Sequence, residues 1–441
     1  MVCSNNKTLA DSDSRDFAPR LGLAYRITPK VVLRAGYGIY YGALGTTGFG
    51  ANIANNYPFL FNFTYNAPDA GHPITYPNGS MASLETGLSA IVFSPAEVNA
   101  SGLSLAARQF RYLSPYYEDY NFAVQYQISP NQAFSLAYVG DGGHHMNTIP
   151  STNEPSEILP PGLNPQNYVP FPDFARGSPY EMTGATTYYN SLQTSFQRRF
   201  SGGLTFMANY TWSHCRADWR SADASTVGGW RAYTLPGFGL QGDYGYCDAD
   251  APQIFHFSGT YTLPVGNGQH FLGKNSGVLN QVIGGWRLNW IMTLEDGMPF
   301  TIGCPIATTS DYGCYADEVP GQNVYAGPHN VNQWLNPAAF ANPPVATTIG
   351  QTDFSPLGGF PTPVHGPGEH RIDFSIFKEF PFSENKRLQF RAEIFNLTNT
   401  PWFANPGYTD FTNPATFGMI TSLRDGANDP RILQLALKFF F

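Results

Sequence analysis

Residues 431–441 read RILQLALKFFF. Leu433, Leu435, Leu437, Phe439 and Phe441 fall on one face of this stretch, and Ile432, Gln434, Ala436, Lys438 and Phe440 on the other. A period of two is the mark of a strand, because successive side chains of extended backbone point to opposite sides. A strand of a soluble sheet buries its apolar face and gives way to a polar segment, whereas this one is most apolar at its last residues. Lipid is therefore the expected neighbour of the Leu and Phe face. The competing reading is an ordinary core strand, and the residues upstream decide between the two.

Such an ending resembles the C-terminal signal of bacterial outer-membrane β-barrels, where a terminal Phe and alternating apolar residues are read by the barrel-insertion machinery. The composition suits a chain of many strands: of 441 residues only 13% are charged and 15% are aromatic, with 45 Gly and 36 Pro to punctuate turns and loops. No apolar run reaches the eighteen or so residues of a membrane helix, so contact with a membrane has to be made by strands. A net charge of −8 without a basic block argues against nucleic acid as a partner.

Further upstream the same alternation recurs in pairs. Residues 17–27 (FAPRLGLAYRI) and 31–41 (VVLRAGYGIYY) flank Thr28-Pro29-Lys30, with Leu21, Leu23, Tyr25, Leu33, Ala35 and Tyr37 on one face and Arg20, Arg26 and Arg34 on the other. Further hairpins are predicted at 119–128 with 132–141, 188–200 with 203–213, 253–262 with 285–297, and 371–381 with 387–397. With 431–441 this makes eleven strands. The link 263–284 contains SGVLNQVIGG, room for one short helical turn.

Links within hairpins hold 3, 3, 2, 22 and 5 residues, and links between hairpins hold 77, 46, 39, 73 and 33. Antiparallel strands crossing a slab of fixed thickness leave tight turns on one side and long loops on the other, the asymmetry of outer-membrane barrels with their short periplasmic turns. Aromatic residues gather near strand ends: Tyr40, Tyr41, Tyr188, Tyr189, Tyr210 and Trp212 on the outer side, Phe380, Phe382 and Phe439–Phe441 on the inner. They are expected to form the two interfacial girdles. The expected fold class is therefore all-β, an antiparallel transmembrane β-barrel. Eleven strands leave two open edges, which lipid does not tolerate, and no secretory signal opens the sequence. The expectation is that residues 1–16 end a preceding loop and residues 17–441 form the C-terminal part of a longer barrel protein.

Several phrases go beyond barrel texture. FAPRLGLAYRITPKVVLRAGYGIYY, GDYGYCDADAPQIFHFSGTYTLPVG (242–266), GGWRLNWIMTLEDGMPFTI (284–302), RIDFSIFKEFPF with RLQFRAEIFNLTNTPWF, and DPRILQLALKFFF resemble the TonB-dependent receptor family. The likeness is to the Oar-like, acidobacterial branch that carries a carboxypeptidase-regulatory-like domain. The resemblance implies half of a 22-stranded barrel, about eleven strands, together with a plug domain and TonB box that these residues do not contain. It also implies a bacterial outer-membrane location.

Cys304 and Cys314 bracket a ten-residue span, and Cys215 and Cys247 sit at the two ends of one expected outer loop. In an oxidising compartment both pairs are expected to staple loops, which leaves Cys3 over. His144 with His145, and Asp243 with Asp248 and Asp250, invite metal readings. Adjacent histidines lack ligand spacing and the calcium-hand pattern is absent, so polar loop and capping roles are preferred. Arg34, Arg287, Asp373, Arg391 and Glu393 fall on inward faces, where charges of both signs suit a wet lumen. No nucleophile elbow, HExxH or P-loop occurs, and neither an enzyme nor a cofactor is expected.

The candidate ligand-contacting residues are loop aromatics, Tyr112, Tyr116, Tyr117, Trp230, Tyr244, Trp334 and Trp402, whose faces beside amide groups suit sugars or peptides. The expected function is active uptake of a bulky solute such as a glycan or peptide. The expected partners are outer-membrane lipid, the insertion machinery and, through the absent plug, the TonB complex. The alternatives are a passive adhesin or structural barrel, and an outer-membrane enzyme, for which the His and carboxylate cluster expected at an extracellular rim is not apparent.

Overall fold

Thr28-Pro29-Lys30 and Ser129-Pro130-Asn131 turn the chain in the same way. Proline presets φ at the first turn position, and the preceding hydroxyl accepts the turn's free N–H groups: Thr28 Oγ1 from Lys30 N (3.2 Å) and Val31 N (3.0 Å), Ser129 Oγ from Asn131 N (3.3 Å). A third turn uses Gly202 and Gly203 at φ +60° and +82°, the left-handed pair that a two-residue hairpin needs. Each returns a strand antiparallel beside its predecessor.

The computed structural model describes residues 15–42, 56, 81–83, 85, 106–111, 113–218, 236–237, 239–274, 277–310, 312–325, 330–355, 364–383, 386–424 and 430–441. Its main strands are β1 (Arg20–Thr28), β2 (Val31–Tyr41), β3 (Tyr116–Ser129), β4 (Gln132–Thr148), β5 (Ser178–Ser201) and β6 (Leu204–Ala217). They continue with β7 (Gln253–Thr262), β8 (Trp286–Glu295), β9 (Glu369–Ser383), β10 (Lys386–Phe395) and β11 (Ile432–Phe440). Each pairs antiparallel with its neighbours in sequence, so β1 to β11 form one meander without a crossover. The link after β7 holds the helix α1 (Gly277–Ile283), where the sequence left room for a helical turn. No helix among the described residues is long and apolar enough to cross a membrane.

The register shows how period-two patterning becomes two surfaces. Leu23, Ala35, Phe122, Tyr138, Leu192 and Trp212 are successive cross-strand partners from β1 to β6. Leu204, Tyr261, Leu288, Ile376, Ala392 and Leu435 continue such a row from β6 to β11. Partners across an antiparallel pair share a face, so one side of the sheet is an unbroken apolar band. At its ends Leu23 is 61% and Leu435 62% exposed. A contiguous patch of this size marks a surface built for an apolar neighbour. The opposite face carries Arg34, Gln193 and Thr211 on one half and Thr205, Thr260, Asn289, Ser375, Glu393 and Gln434 in register on the other.

The structure departs from the sequence reading in two places. β1 starts at Arg20, not at residue 17, because Pro19 has no N–H for a ladder; its carbonyl still accepts from Ile39 N at 3.0 Å. β4 and β5 run to 17 and 24 residues, seven and ten residues further on the long-loop side than the alternation implies. There Gly142, Gly143 and Gly184 interrupt the hydrophobic pattern, and a shifted register between Gly143 and Met146 carries the pairing on. The buried clusters lie in the long links: Ile302, Leu335, Phe340, Val364, Phe411 and Phe417 form one, and Ile158, Tyr312 and Ala346 another.

Candidate functional site

The polar face of the sheet is a wall of short side-chain bonds between neighbouring strands. Arg34 Nε donates to Gln125 Oε1 (3.1 Å), Thr260 Oγ1 to Asn289 Oδ1 (3.0 Å), Asn289 Nδ2 to Ser375 Oγ (3.1 Å) and Gln389 Nε2 to Glu379 Oε1 (3.0 Å). Two inward rings of this region are covered by cations, Arg391 lying 4.5 Å above Phe377 and Arg387 4.4 Å above Phe440. Arg34, Arg287, Asp373, Arg391 and Glu393 all stand on this face. The face is therefore wettable from end to end.

On the long-loop side the wall runs into a folded rim. Cys215, near the end of β6, is bonded to Cys247 with Cα atoms 5.4 Å apart, and Cys304 to Cys314 at 5.5 Å. The first ties the end of β6 to the link that follows it, and the second closes a ten-residue span within the link after β8. Cys247 N donates to Cys215 O (3.0 Å), and Asp250 closes the turn, its N–H donating to Cys247 O (2.9 Å) and its Oδ1 accepting from Cys215 N (2.6 Å). The Asp250 carboxylate is buried. Its Oδ2 faces His214 Nδ1 at 3.6 Å and His365 Nε2 at 3.8 Å, drawing together the β6 end and the link after β8. Tyr315 donates its hydroxyl to Asp243. Among the described residues no group of three His, Cys, Asp or Glu side chains is arranged to hold a metal ion.

Asp218, just past β6, accepts from Thr186 N (2.6 Å) and Thr186 Oγ1 (3.0 Å). Burial pushes its carboxyl above the usual range, against the pull of those hydrogen bonds. Burial likewise raises Tyr325, whose oxygen accepts from His365 N at 2.7 Å. Two long-range ion pairs fasten the rim. Arg108 meets buried Glu181 in a fork of 2.8 and 2.9 Å, and Arg176 meets Glu154 at 2.8 Å.

A cavity of about 490 Å³ opens at the long-loop ends of β2 and β3. Arg15, Asp16, Tyr41, Arg111, Tyr116 and His145 are among its lining residues, and Ser114 Oγ holds Asp16 at 2.5 Å. Two guanidinium groups and aromatic faces around one carboxylate suit a polar ligand with acidic, amide or hydroxyl groups.

The candidate aromatics divide between this cavity and the loop interior. Tyr116 lines the cavity and stacks on His144 (5.0 Å between centroids), while His145 meets Tyr116 edge-on (5.5 Å). Tyr117 stands on the opposite face of β3 from Tyr116, half-buried. Tyr244 is half-buried ahead of the Cys247 turn. Trp334 packs against the larger loop core and donates its indole N–H to His365 O (2.9 Å). Trp402 lies under the Arg424 guanidinium (4.8 Å). Tyr112, Trp230 and Cys3 lie outside the described residues. Sequence reasoning missed Arg15, Arg111, Glu181 and Asp218, whose partners or neighbours stand far along the chain with no local pattern to mark them.

Residues 2–434 match the family described as Outer membrane beta barrel domain. No curated protein sequence matches the chain. Similar solved structures include the FpvAI–pyocin S2 complex (TM-score 0.42, 8% identity, covering 96% of this chain and 33% of that one). Others are the outer membrane transporter YddB from Escherichia coli (0.39, 11%, 93% and 39%) and BauA, the ferric preacinetobactin receptor from Acinetobacter baumannii (0.40, 11%, 96% and 36%). The chain spans between a third and two-fifths of the length of these proteins. With an apolar band on one face of the eleven-strand meander, a polar wall on the other and a family match along almost its whole length, the chain belongs to the outer membrane beta-barrel domain family of the bacterial outer membrane.

Proposed function

We propose that the chain is the C-terminal half of a TonB-dependent receptor barrel of the Oar-like branch, a component for active uptake of a bulky solute such as a glycan or peptide. The observation that carries this reading is the polar face: it is continuous over eleven strands and bears charges of both signs. A wall built only to present loops has no need of such a lumen.

The sheet edges support the same reading. Among the described residues β1 pairs only with β2, and β11 only with β10. An unpaired strand edge in lipid leaves N–H and C=O groups unsatisfied, at several kcal/mol each. Further strands, with a plug and TonB box, would complete the barrel and couple it to the inner membrane. Tyr116, Tyr117, Trp230, Tyr244, Trp334 and Trp402 are proposed as ligand contacts of the loops. Leu433, Leu435, Leu437, Phe439 and Phe441 are proposed as the insertion signal.

The test is growth of cells carrying the intact gene on a panel of glycans and peptides, with and without TonB. Growth on one of them that depends on both the gene and TonB supports active uptake. Gene-dependent growth that survives loss of TonB indicates a passive barrel instead.

A further inference from the structure

The helix α1 (Gly277–Ile283) sits on the short-turn side of the sheet, in the one link there that is not a tight turn. Its attachment is unusual for a connecting segment. Trp286 and Lys378 are cross-strand partners, and Lys378 in turn partners Phe390, which stands opposite Leu437. Both therefore belong to the apolar face of the wall. Trp286 Nε1 donates to Val282 O at 2.9 Å, and Lys378 Nζ donates to Gly284 O at the end of the helix. A cation there complements the free carbonyls and the negative end of the helix dipole. Lys378 is buried with its ammonium 4.8 Å from the Phe380 ring centre and 5.6 Å from that of Trp286. Gln281 Nε2 donates to Pro381 O (3.2 Å) and Asn280 Oδ1 accepts from Asn267 N (2.6 Å), which occupies the polar side of the helix.

What remains open is apolar. Val278, Leu279 and Val282 fall together at helical spacing and are 82%, 53% and 60% exposed. Phe271 and Leu272 are exposed nearby in the chain, and Phe382 is exposed next to Pro381, whose carbonyl Gln281 holds. The helix is fastened to the lipid-facing side of the wall and not to its lumenal side, so this patch continues the apolar band towards the short-turn rim. The geometry points to α1 as an interfacial helix, with Val278, Leu279 and Val282 seated in the periplasmic leaflet of the outer membrane, at the depth of the headgroup and acyl boundary. The occupant of the patch is phospholipid. This inference rests on the outer-membrane placement of the chain and adds to it a contact outside the strands.

Nitroxide labels test it in the full-length protein reconstituted in vesicles of phosphatidylethanolamine and phosphatidylglycerol, in a Cys3→Ser background with the other four cysteines paired. Labels at Leu279→Cys, at Leu435→Cys on the apolar band and at Asp353→Cys on the exposed rim are compared for relaxation by oxygen, which enriches in lipid, and by a water-soluble nickel chelate. The expected result is an oxygen-to-nickel ratio at 279 that is several-fold above that at 353 and close to that at 435. A ratio at 279 equal to that at 353, with 435 still lipid-like, overturns the inference and leaves the membrane wall standing. A water-like ratio at 435 removes the membrane placement itself, and the inference with it.

Discussion

Leu435 and Gln434 are adjacent residues with opposite duties. Leu435 stands on the apolar face opposite Ala392, and Gln434 on the polar face opposite Glu393. A cation at the middle of a lipid-facing strand costs about 2–4 kcal/mol, whereas a lumenal substitution costs little. Leu435→Arg is therefore expected to lower unfolding stability by about that amount in a urea titration of the reconstituted protein, and Gln434→Arg to leave it nearly unchanged. Equal effects would contradict the assignment of faces. Asp218 gives a second prediction at this scale. Its carboxyl is raised by burial, so the folded state favours the protonated form; that contribution is present at low pH and lost as pH rises through the folded value. In Asp218→Asn the side-chain oxygen still accepts from Thr186 N, and the pH dependence is removed. The variant is expected to match the parent in acid and to lose less stability than the parent between pH 4 and neutrality, followed by the midpoint of thermal unfolding. A parent and variant with parallel pH profiles would contradict it.

Turns and helix ends set the behaviour of the elements. Gly203 sits at φ +82°, and a Cβ there would lie 2.5 Å from Thr262 O of the adjacent strand. Gly203→Ala therefore meets both backbone strain and a clash, and is expected to cost at least about 1–3 kcal/mol and to slow formation of the β5–β6 hairpin, read by hydrogen exchange. Lys378→Met keeps the aliphatic stem over Trp286 and removes the bond to Gly284 O. The expected outcome is faster amide exchange over residues 277–284 with the β8–β9 ladder unaffected; unchanged exchange would show that the lysine does not hold α1. These elements were legible to different degrees. A strand of about ten residues alternating every second position, ended by Ser-Pro-Asn or Gly-Gly, is readable because burial and turn chemistry act locally. The added lengths of β4 and β5 were not, because beyond the membrane band both strand faces meet loop residues and the alternation ends. The loop cores were likewise unreadable: Leu335 and Phe417 are brought together by folding across a long span, with no period to announce it. The same holds for the cavity, where Arg111 and Tyr116 had only their own short stretch to speak for them, and Arg15 lies about a hundred residues away.

The molecule as a whole is a wall with a dry side and a wet side, stiffened on the long-loop rim by two disulfides, a buried Asp250 between two imidazoles, and the Arg108–Glu181 fork. Loop substitutions that leave those fastenings intact are expected to change what is bound without unfolding the wall. Arg111→Ala at the cavity is one: it should reduce solute binding to cells while surface abundance, measured by antibody labelling, stays the same. The most direct measurement of the account returns to the last strand. Single cysteines at residues 433–438, introduced in turn into the full-length Cys3→Ser protein in outer membranes, are treated with a membrane-impermeant maleimide after permeation of the lumen. The account predicts a period of two, with 434, 436 and 438 labelled and 433, 435 and 437 protected. Labelling without alternation, or alternation of the opposite phase, would contradict it.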